Sequence, residues 1–242
     1  MADHSAGSGK EGRGGKMADF SAVSTKTEGS SGKKAITIKV GLLGESQIGK
    51  TSLMVQYVEG MFEEAYIETL GVHFMDKTVS LRQNKITFNI WDLGGQKTFM
   101  SMLPLVCRDA VVILFMFDLT RKSTLTGVKD WYRKARGHNK AAIPFLVGTK
   151  YDQFKDFETG EKGEITKLAR KYAQAMKAPL IFCSSQSNTN VDKIFKIVLC
   201  KAFKLQCNIP QISQVGEPIL EYENPGAKKK EIGKEEVTSN KS

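Results

Sequence analysis

Residues 44–51 carry the first recognisable chemistry of the chain: Gly-Glu-Ser-Gln-Ile-Gly-Lys-Thr has the spacing GxxxxGK[ST] of a loop that binds polyphosphates. Gly44 and Gly49 allow backbone conformations that a β-carbon would obstruct, so successive N–H groups can face the phosphates. Lys50 is expected to bridge the β- and γ-phosphates, and the Thr51 hydroxyl to bind Mg²⁺. The predicted nucleotide contacts of this loop are Gly44, Ser46, Gln47, Ile48, Gly49, Lys50, Thr51 and Ser52.

A second motif, Trp-Asp-Leu-Gly-Gly-Gln at residues 91–96, ends an alternating strand with an acid. Ligands of open α/β sheets bind beyond the carboxyl ends of the strands, so Asp92 is placed to hold Mg²⁺ through a water molecule. Gly95 can direct its backbone N–H at a γ-phosphate. Downstream of a phosphate-binding loop, this motif predicts part of a metal and phosphate site rather than an ordinary turn.

A third motif, Thr-Lys-Tyr-Asp at residues 149–152, follows a predicted strand. The Asp152 carboxylate can accept hydrogen bonds from N1–H and the exocyclic amine of guanine. Adenine offers no such pair of donors, so its binding would desolvate the carboxylate without compensation. The stem of Lys150 can lie over the purine face. The tetrapeptide is weak evidence alone and gains its specificity from its order after the first two motifs.

The elements that must position these motifs alternate between strands and helices, which predicts an α/β fold with a mostly parallel, six-stranded sheet and helices on both faces. Predicted strands cover residues 36–43, 72–81, 85–91, 111–117, 143–147 and 180–183, and predicted helices cover 50–58, 123–140, 164–176 and 191–205. The segments outside this pattern are poor in large apolar side chains or broken by proline. We therefore expect a disordered N-terminal extension (1–35), one domain (36–206) and a mostly disordered C-terminal tail (207–242).

Composition limits the class of protein. The chain has 242 residues, 40% of them hydrophobic, which suits one sizeable core, and it has no apolar run long enough to span a membrane. Four cysteines without CxxC spacing and the absence of a signal sequence favour a reducing, cytoplasmic location. The net charge of +10 lies mostly in residues 36–206, but no aromatic RNA-binding pattern accompanies it, so we expect no nucleic-acid partner. Ala2 and a C-terminus without cysteine predict no direct lipid anchor.

With the three motifs in this order, residues 36–206 resemble the Ras-superfamily small GTPases. The resemblance implies a single small-GTPase (P-loop NTPase) domain that binds GTP or GDP with Mg²⁺. It implies that Thr69 binds Mg²⁺ and the γ-phosphate, that Phe62 packs against guanine, and that Gln96 orients the attacking water. The loop with Ser184 and Ser185 would meet guanine O6. The implied catalytic residues are Gln96, Lys50 and Thr69, and the implied metal ligands are Thr51, Thr69 and Asp92.

Longer stretches, such as Leu-Phe-Met-Phe-Asp-Leu-Thr-Arg-Lys-Ser-Thr-Leu and Val-Gly-Thr-Lys-Tyr-Asp-Gln-Phe, are similar to the septum-promoting, mitotic-exit GTPases. That similarity implies a switch at spindle pole bodies or centrosomes that controls a protein-kinase cascade timing cytokinesis. The implied partners are a bipartite TBC-type GAP, an effector protein kinase of that cascade and a possible exchange factor. Residues 60–71 contain no arginine, so we expect an external GAP to supply one.

Three residues depart from the family pattern. Thr149 replaces the usual Asn, which predicts faster nucleotide dissociation; Gln186 replaces the usual Lys; and Gly94 replaces the common Ala, which predicts a freer backbone.

Other functional classes stay open at this point. They are a Rab-like trafficking GTPase, a nucleotide-binding scaffold with negligible turnover, and a nucleoside or metabolite kinase. A kinase would need an arginine-rich lid, and residues 50–90 contain only Arg82.

Overall fold

The computed structural model of the protein describes residues 24–26, 35–65, 67–81 and 84–224. Their strands form one sheet in the order β3-β4-β2-β5-β6-β7-β8, with β1 beside β2. Pairs β2–β4, β2–β5, β5–β6 and β6–β7 are parallel, and β3–β4, β1–β2 and β7–β8 are antiparallel. The strands are β1 (Ser24–Lys26), β2 (Ala35–Leu43), β3 (Val72–Leu81), β4 (Asn84–Leu93), β5 (Val112–Asp118), β6 (Ile143–Thr149), β7 (Leu180–Phe182) and β8 (Leu220–Glu221).

Helices cover both faces of the sheet, as the alternation of elements predicts. They are α1 (Lys50–Glu59), α2 (Leu103–Cys107), α3 (Lys122–His138), α4 (Tyr151–Phe154), α5 (Thr159–Met176) and α6 (Val191–Ala202), with a 3-10 turn at Lys97–Met102. The central strand β5 shows why two layers are needed. Its side chains alternate between two apolar clusters: Leu114 packs with residues of α1 and α6, and Phe115 with residues of α2, α3 and α5.

The α/β prediction is confirmed, but the number of strands is larger than six. Strands β2–β7 are the six predicted ones, and the two additional strands, β1 and β8, have three and two residues. Both are antiparallel additions to an otherwise largely parallel sheet. Among the described residues, no helix is long and apolar enough to cross a membrane.

The prediction of a mostly disordered C-terminal tail is wrong for residues 207–224. Ile219 and Leu220 are fully buried, and Tyr222 is nearly so. The prolines of this segment predicted disorder because proline breaks helices, whereas Pro218 immediately precedes buried side chains that complete the core beside β7. Residues 225–242, and the predicted N-terminal extension apart from residues 24–26 and 35, lie outside the described residues.

Candidate functional site

The loop of residues 44–49 connects β2 to α1 in the conformation that its glycines permit. Gly44 has φ = 155° and Gly49, which precedes the first turn of α1, has φ = 88°. A β-carbon on Gly44 would lie 2.5 Å from the carbonyl oxygen of Met116 on β5, so glycine is required both by conformation and by space. The loop therefore folds tightly against the end of the sheet, with the N-terminus of α1 at its base.

Lys50, the first residue of α1, extends beneath this loop. Its side chain is buried, and Nζ donates hydrogen bonds to the carbonyl oxygens of Gly44 (3.1 Å) and Glu45 (2.7 Å). Burial lowers the pKa of Lys50, and the negative charges of Asp92 and Glu45 oppose that shift. Because this ammonium group is poorly solvated, an ion pair with an anionic ligand in the loop would be favourable. This is expected of a lysine that contacts phosphate.

Three oxygen-bearing side chains meet beside Lys50. The Thr51 hydroxyl lies 2.7 Å from the Thr69 hydroxyl and donates a hydrogen bond to Oδ2 of Asp92, which Thr69 also approaches at 3.4 Å. The other carboxylate oxygen of Asp92, Oδ1, is buried without a hydrogen-bond partner, and burial raises the pKa of this group. Clustered hydroxyl and carboxylate oxygens are the ligands that Mg²⁺ prefers, and a water molecule bound to the cation would give the orphaned oxygen its partner. The predicted metal residues therefore come together and fit the ion.

Two segments contact each other beside this cluster: one follows Asp92 and β4 (94–102), and the other precedes β3 (60–71). The backbone of Gly95 lies against the loop so closely that a β-carbon there would overlap the backbone nitrogen of Ser46. Gly94 N donates to the carbonyl oxygen of Gly71 over 2.8 Å. The Gln96 side-chain amide donates to the carboxylate of Glu68. Thus Gly95 lies against the phosphate loop, and its contact with a γ-phosphate stays a prediction, whereas Gln96 is engaged with the opposite segment.

The third motif and the serine loop form the far end of the site. Ser184 is buried, and its hydroxyl donates a hydrogen bond to Oδ1 of Asp152 over 2.5 Å. Ser185 is largely buried on the same loop. An open cavity of about 580 Å³ lies beside these residues, lined by Asp152, Gln153, Lys155, Asp156, Gln186 and Ser187. Gln186, the residue that departs from the family pattern, thus contributes to the cavity wall.

Two further predicted contacts lie on elements around the loop. Ser52 follows Thr51 in the first turn of α1. Phe62 lies in the segment between α1 and β3 and is 38% exposed. In its hydrogen-bonded orientation, the side-chain amide of Gln56 donates to the carbonyl oxygens of Met61 (2.9 Å) and Ser185 (3.3 Å), which brings the chain next to Phe62 alongside the serine loop.

Asp118 and Arg121 were missed by the sequence reasoning, although they join the two ends of the site. Oδ2 of the buried Asp118 accepts from Nζ of Lys150 at 2.8 Å and from Nε of Arg121 at 2.9 Å. Arg121 Nη2 also donates to the carbonyl oxygens of Gln47 (3.0 Å) and Ser46 (3.3 Å). Burial by itself would raise the pKa of Asp118, but hydrogen bonds from Lys150 and Thr120 outweigh burial and lower it.

A signal for Asp118 was present in the sequence. This acid follows the apolar run 111–117, as Asp92 lies in the last two residues of β4, and the carboxyl ends of parallel strands share one edge of the sheet. Arg121 gave no such signal, because its contact with the phosphate loop depends on how the chain turns between β5 and α3.

Comparison with known proteins agrees with this geometry. The sequence model of the Ras family matches residues 39–204. The chain is 63% identical over 190 residues to Septum-promoting GTP-binding protein 1 of Schizosaccharomyces pombe, covering 78% of this chain and 96% of that protein. It is 33% identical over 159 residues to the Ras-related protein SEC4 of Saccharomyces cerevisiae (65% of this chain, 71% of that protein). It is 35% identical over 158 residues to the Ras-related protein RabJ of Dictyostelium discoideum (65% and 60%).

Proposed function

This chain belongs to the Ras family, and we propose that it acts as a GTP/GDP switch controlling septation and cytokinesis through a protein-kinase cascade. It is a small GTPase, a GTP hydrolase whose cofactors are GTP or GDP and Mg²⁺. The observation that carries the septation role is its 63% identity along 96% of the septum-promoting protein. The relatives SEC4 and RabJ align over shorter stretches at about half that identity, so we favour septation over a Rab-like trafficking role.

The proposed roles of the site residues follow from their positions. Thr51, Thr69 and Asp92 would hold Mg²⁺, which when bound supplies positive charge next to the phosphate oxygens. Lys50 and the backbone N–H groups of the loop, with that of Gly95, would stabilise the charge that spreads over the γ-phosphate during hydrolysis. Asp152 would accept the two donors of guanine, supported by the Ser184 hydroxyl.

Gln96 would orient the attacking water, and its engagement with Glu68 supports slow intrinsic hydrolysis. The amide must turn from that carboxylate before it can hold a water molecule at the γ-phosphate. The nearby Arg121 guanidinium is occupied by Asp118 and by loop carbonyl oxygens. A bipartite TBC-type GAP would therefore supply the missing cation, a contribution on the order of 10³–10⁵ in rate. An exchange factor would restore the GTP state.

Release of the γ-phosphate would loosen the two segments that touch it. Thr69 and Gly95 belong to segments 60–71 and 94–102, which contact each other through the Gly94–Gly71 hydrogen bond. An effector protein kinase of the cascade would bind these segments in the GTP state. We further propose a cytoplasmic protein concentrated at the spindle pole body or centrosome by protein partners, without a nucleic-acid partner.

A single-turnover assay with γ-labelled GTP tests the enzymatic part of the proposal. We expect slow phosphate release that a TBC-type GAP accelerates, and loss of that acceleration in Gln96→Leu. Release from ATP but not GTP would support a metabolite kinase, and release from neither would support a scaffold.

The septation role needs a separate test, which is affinity capture with the GTP-loaded and GDP-loaded protein. A protein kinase retained by the GTP form alone supports the proposal. Retention of vesicle-tethering proteins instead would favour the trafficking alternative.

A further inference from the structure

The segment after α6 packs onto the end of the molecule that carries Asp152 and Ser184. We call residues 207–224 the C-terminal strap. Its strand β8 extends the sheet next to β7, and Phe182 N on β7 donates to the carbonyl oxygen of Ile219 over 2.8 Å. Because β7 leads directly into the serine loop, the strap is attached to the element that positions Ser184.

The strap also contacts the motif that contains Asp152. The hydroxyl of Tyr151, the residue between Lys150 and Asp152, donates to the carbonyl oxygen of Gly216 over 2.7 Å. The backbone nitrogen of Tyr151 in turn donates to the carbonyl oxygen of Cys183, one residue before Ser184. Burial raises the pKa of Tyr151, and the negative charge of Glu217 raises it further. The hydroxyl therefore keeps its proton and remains a donor.

Asn190 fixes the other end of the serine loop to the same strap. Its buried side-chain amide donates to the carbonyl oxygens of Phe182 (2.9 Å) and Pro218 (3.0 Å). One amide therefore spans β7 and the strap, on either side of the loop that carries Ser184.

The strap is held in place by contacts that are independent of the site. Arg170 on α5 forms a two-pronged ion pair with Glu221, with Nη2–Oε1 at 2.6 Å, and donates to the carbonyl oxygen of Ser213 at 2.5 Å. The buried side chains of Ile219 and Leu220 add apolar contact. The segment is thus anchored firmly enough to transmit restraint to the loops it touches.

We propose that the C-terminal strap restrains nucleotide release, with Tyr151 and Asn190 as positioning residues that hold the two guanine-recognition loops against it. This inference rests on the proposed assignment of Asp152 and Ser184 to the base. Among the described residues, the contacts of the strap lie at the base end and not at the γ-phosphate end, so it should slow the release of GDP and GTP by the same factor. Where the slower release appears as a higher equilibrium affinity for nucleotide, linkage requires bound nucleotide to stabilise the strap by the same free energy.

The test measures dissociation of fluorescent GDP and GTP from the full-length protein carrying Tyr151→Phe, which removes one hydroxyl and keeps the ring. We expect both nucleotides to leave about two- to tenfold faster, as loss of one hydrogen bond allows. The preference for GTP over ATP should fall with it, a change that a merely structural tyrosine would not produce. Tyr132→Phe is the matched control, since that hydroxyl accepts from Arg136 on α3; it should leave both rates unchanged.

A second pair of variants acts on the anchor rather than on the loops. Glu221→Gln weakens the ion pair with Arg170 and should also accelerate the release of both nucleotides. The control is Glu164→Gln, which weakens an exposed ion pair with Lys122 and should leave both release rates unchanged. Unchanged release of both nucleotides in Tyr151→Phe and Glu221→Gln overturns the inference, as does acceleration of GTP release alone. If the wild-type protein binds neither nucleotide, the proposed function itself fails, and the two failures are distinguishable.

Discussion

The hydroxyl of Thr149, at the end of β6, donates a hydrogen bond to the carbonyl oxygen of Ile48 in the phosphate loop over 2.5 Å. A second carbonyl oxygen, that of Phe117 on β5, lies 3.0 Å from the same hydroxyl. Thr149 stands where the family pattern has Asn, and this replacement predicted faster nucleotide dissociation. The structure shows that a threonine hydroxyl makes this connection.

Replacing Thr149 with valine should break that connection while keeping the shape of the side chain. The buried carbonyl oxygen of Ile48 would lose a donor, which costs about 1–3 kcal/mol and lets the loop move relative to Asp152. We expect a lower melting temperature and faster GDP dissociation. Thr149→Ser retains the hydroxyl and should behave much like wild type; equal defects in the two variants would contradict the role of the hydrogen bond.

Asp118→Asn should destabilise the protein at neutral pH, because the buried carboxylate accepts from both Lys150 and Arg121. We expect a loss of about 1–3 kcal/mol in the free energy of unfolding. The folded-state pKa of Asp118 is lowered, so its contribution is present above the ordinary value of about 4 and is lost as the pH falls through the folded-state pKa.

Denaturant unfolding of wild type and Asp118→Asn across pH checks this prediction. The gap between the two proteins should be largest near neutrality and should narrow below about pH 4. A gap that stays constant with pH would argue against the charge of Asp118 as the cause.

Gly94→Ala should disturb the contact between segments 60–71 and 94–102. A β-carbon on Gly94 would lie 2.6 Å from the carbonyl oxygen of Thr69 and 2.6 Å from the ring of Phe99. Displacing Thr69 should slow GTP hydrolysis by about tenfold or more, because small misplacements of catalytic groups are costly. Gly163→Ala on α5 is the control: nothing lies within 4 Å of its added β-carbon, and the change should stabilise the protein by about 0.5–1 kcal/mol with unaltered hydrolysis.

Asp92→Asn should weaken the dependence of nucleotide binding on Mg²⁺. Changing a carboxylate that supports a metal through an outer-shell contact typically costs about 10–100-fold in metal affinity. In wild type, a chelator should accelerate GDP release strongly, whereas the variant should release GDP rapidly with or without it. Asp76→Asn, at an exposed carboxylate that accepts from Asn89, should respond to Mg²⁺ as wild type does. A wild-type-like Mg²⁺ titration of Asp92→Asn would exclude this residue from the metal site.

The sequence was most informative where local spacing determines geometry. The glycines and Lys50 of the phosphate loop lie within eight residues, so their arrangement follows from one turn between a strand and a helix. Thr69 and Asp92 are farther apart in sequence, and the family resemblance was needed to connect Thr69 with Thr51. The structure places all three hydroxyl and carboxylate groups together.

The parts that were missed depend on contacts between distant segments. Arg121 reaches the loop carbonyl oxygens across 74 residues, and Gly216 accepts from Tyr151 across 65. The prediction for the tail was wrong for a related reason. A few apolar residues between prolines cannot bury enough surface by themselves to offset the entropy of ordering, but here they are buried against strand β7, which lies about 40 residues earlier in the chain. The close approach at Gly94 likewise gives a steric reason for glycine, where the sequence suggested only backbone freedom.

Recognition of a guanine base by Asp152 can be measured directly with a competition assay. Labelled GDP on the full-length protein should be displaced by unlabelled GTP and GDP but not by a large excess of ATP. In Asp152→Asn this preference should fall by at least about tenfold, because one of the two paired acceptors becomes an NH₂ donor that faces a guanine donor. Equal displacement by ATP in wild type, or an unchanged guanine preference in the variant, would contradict guanine recognition by Asp152.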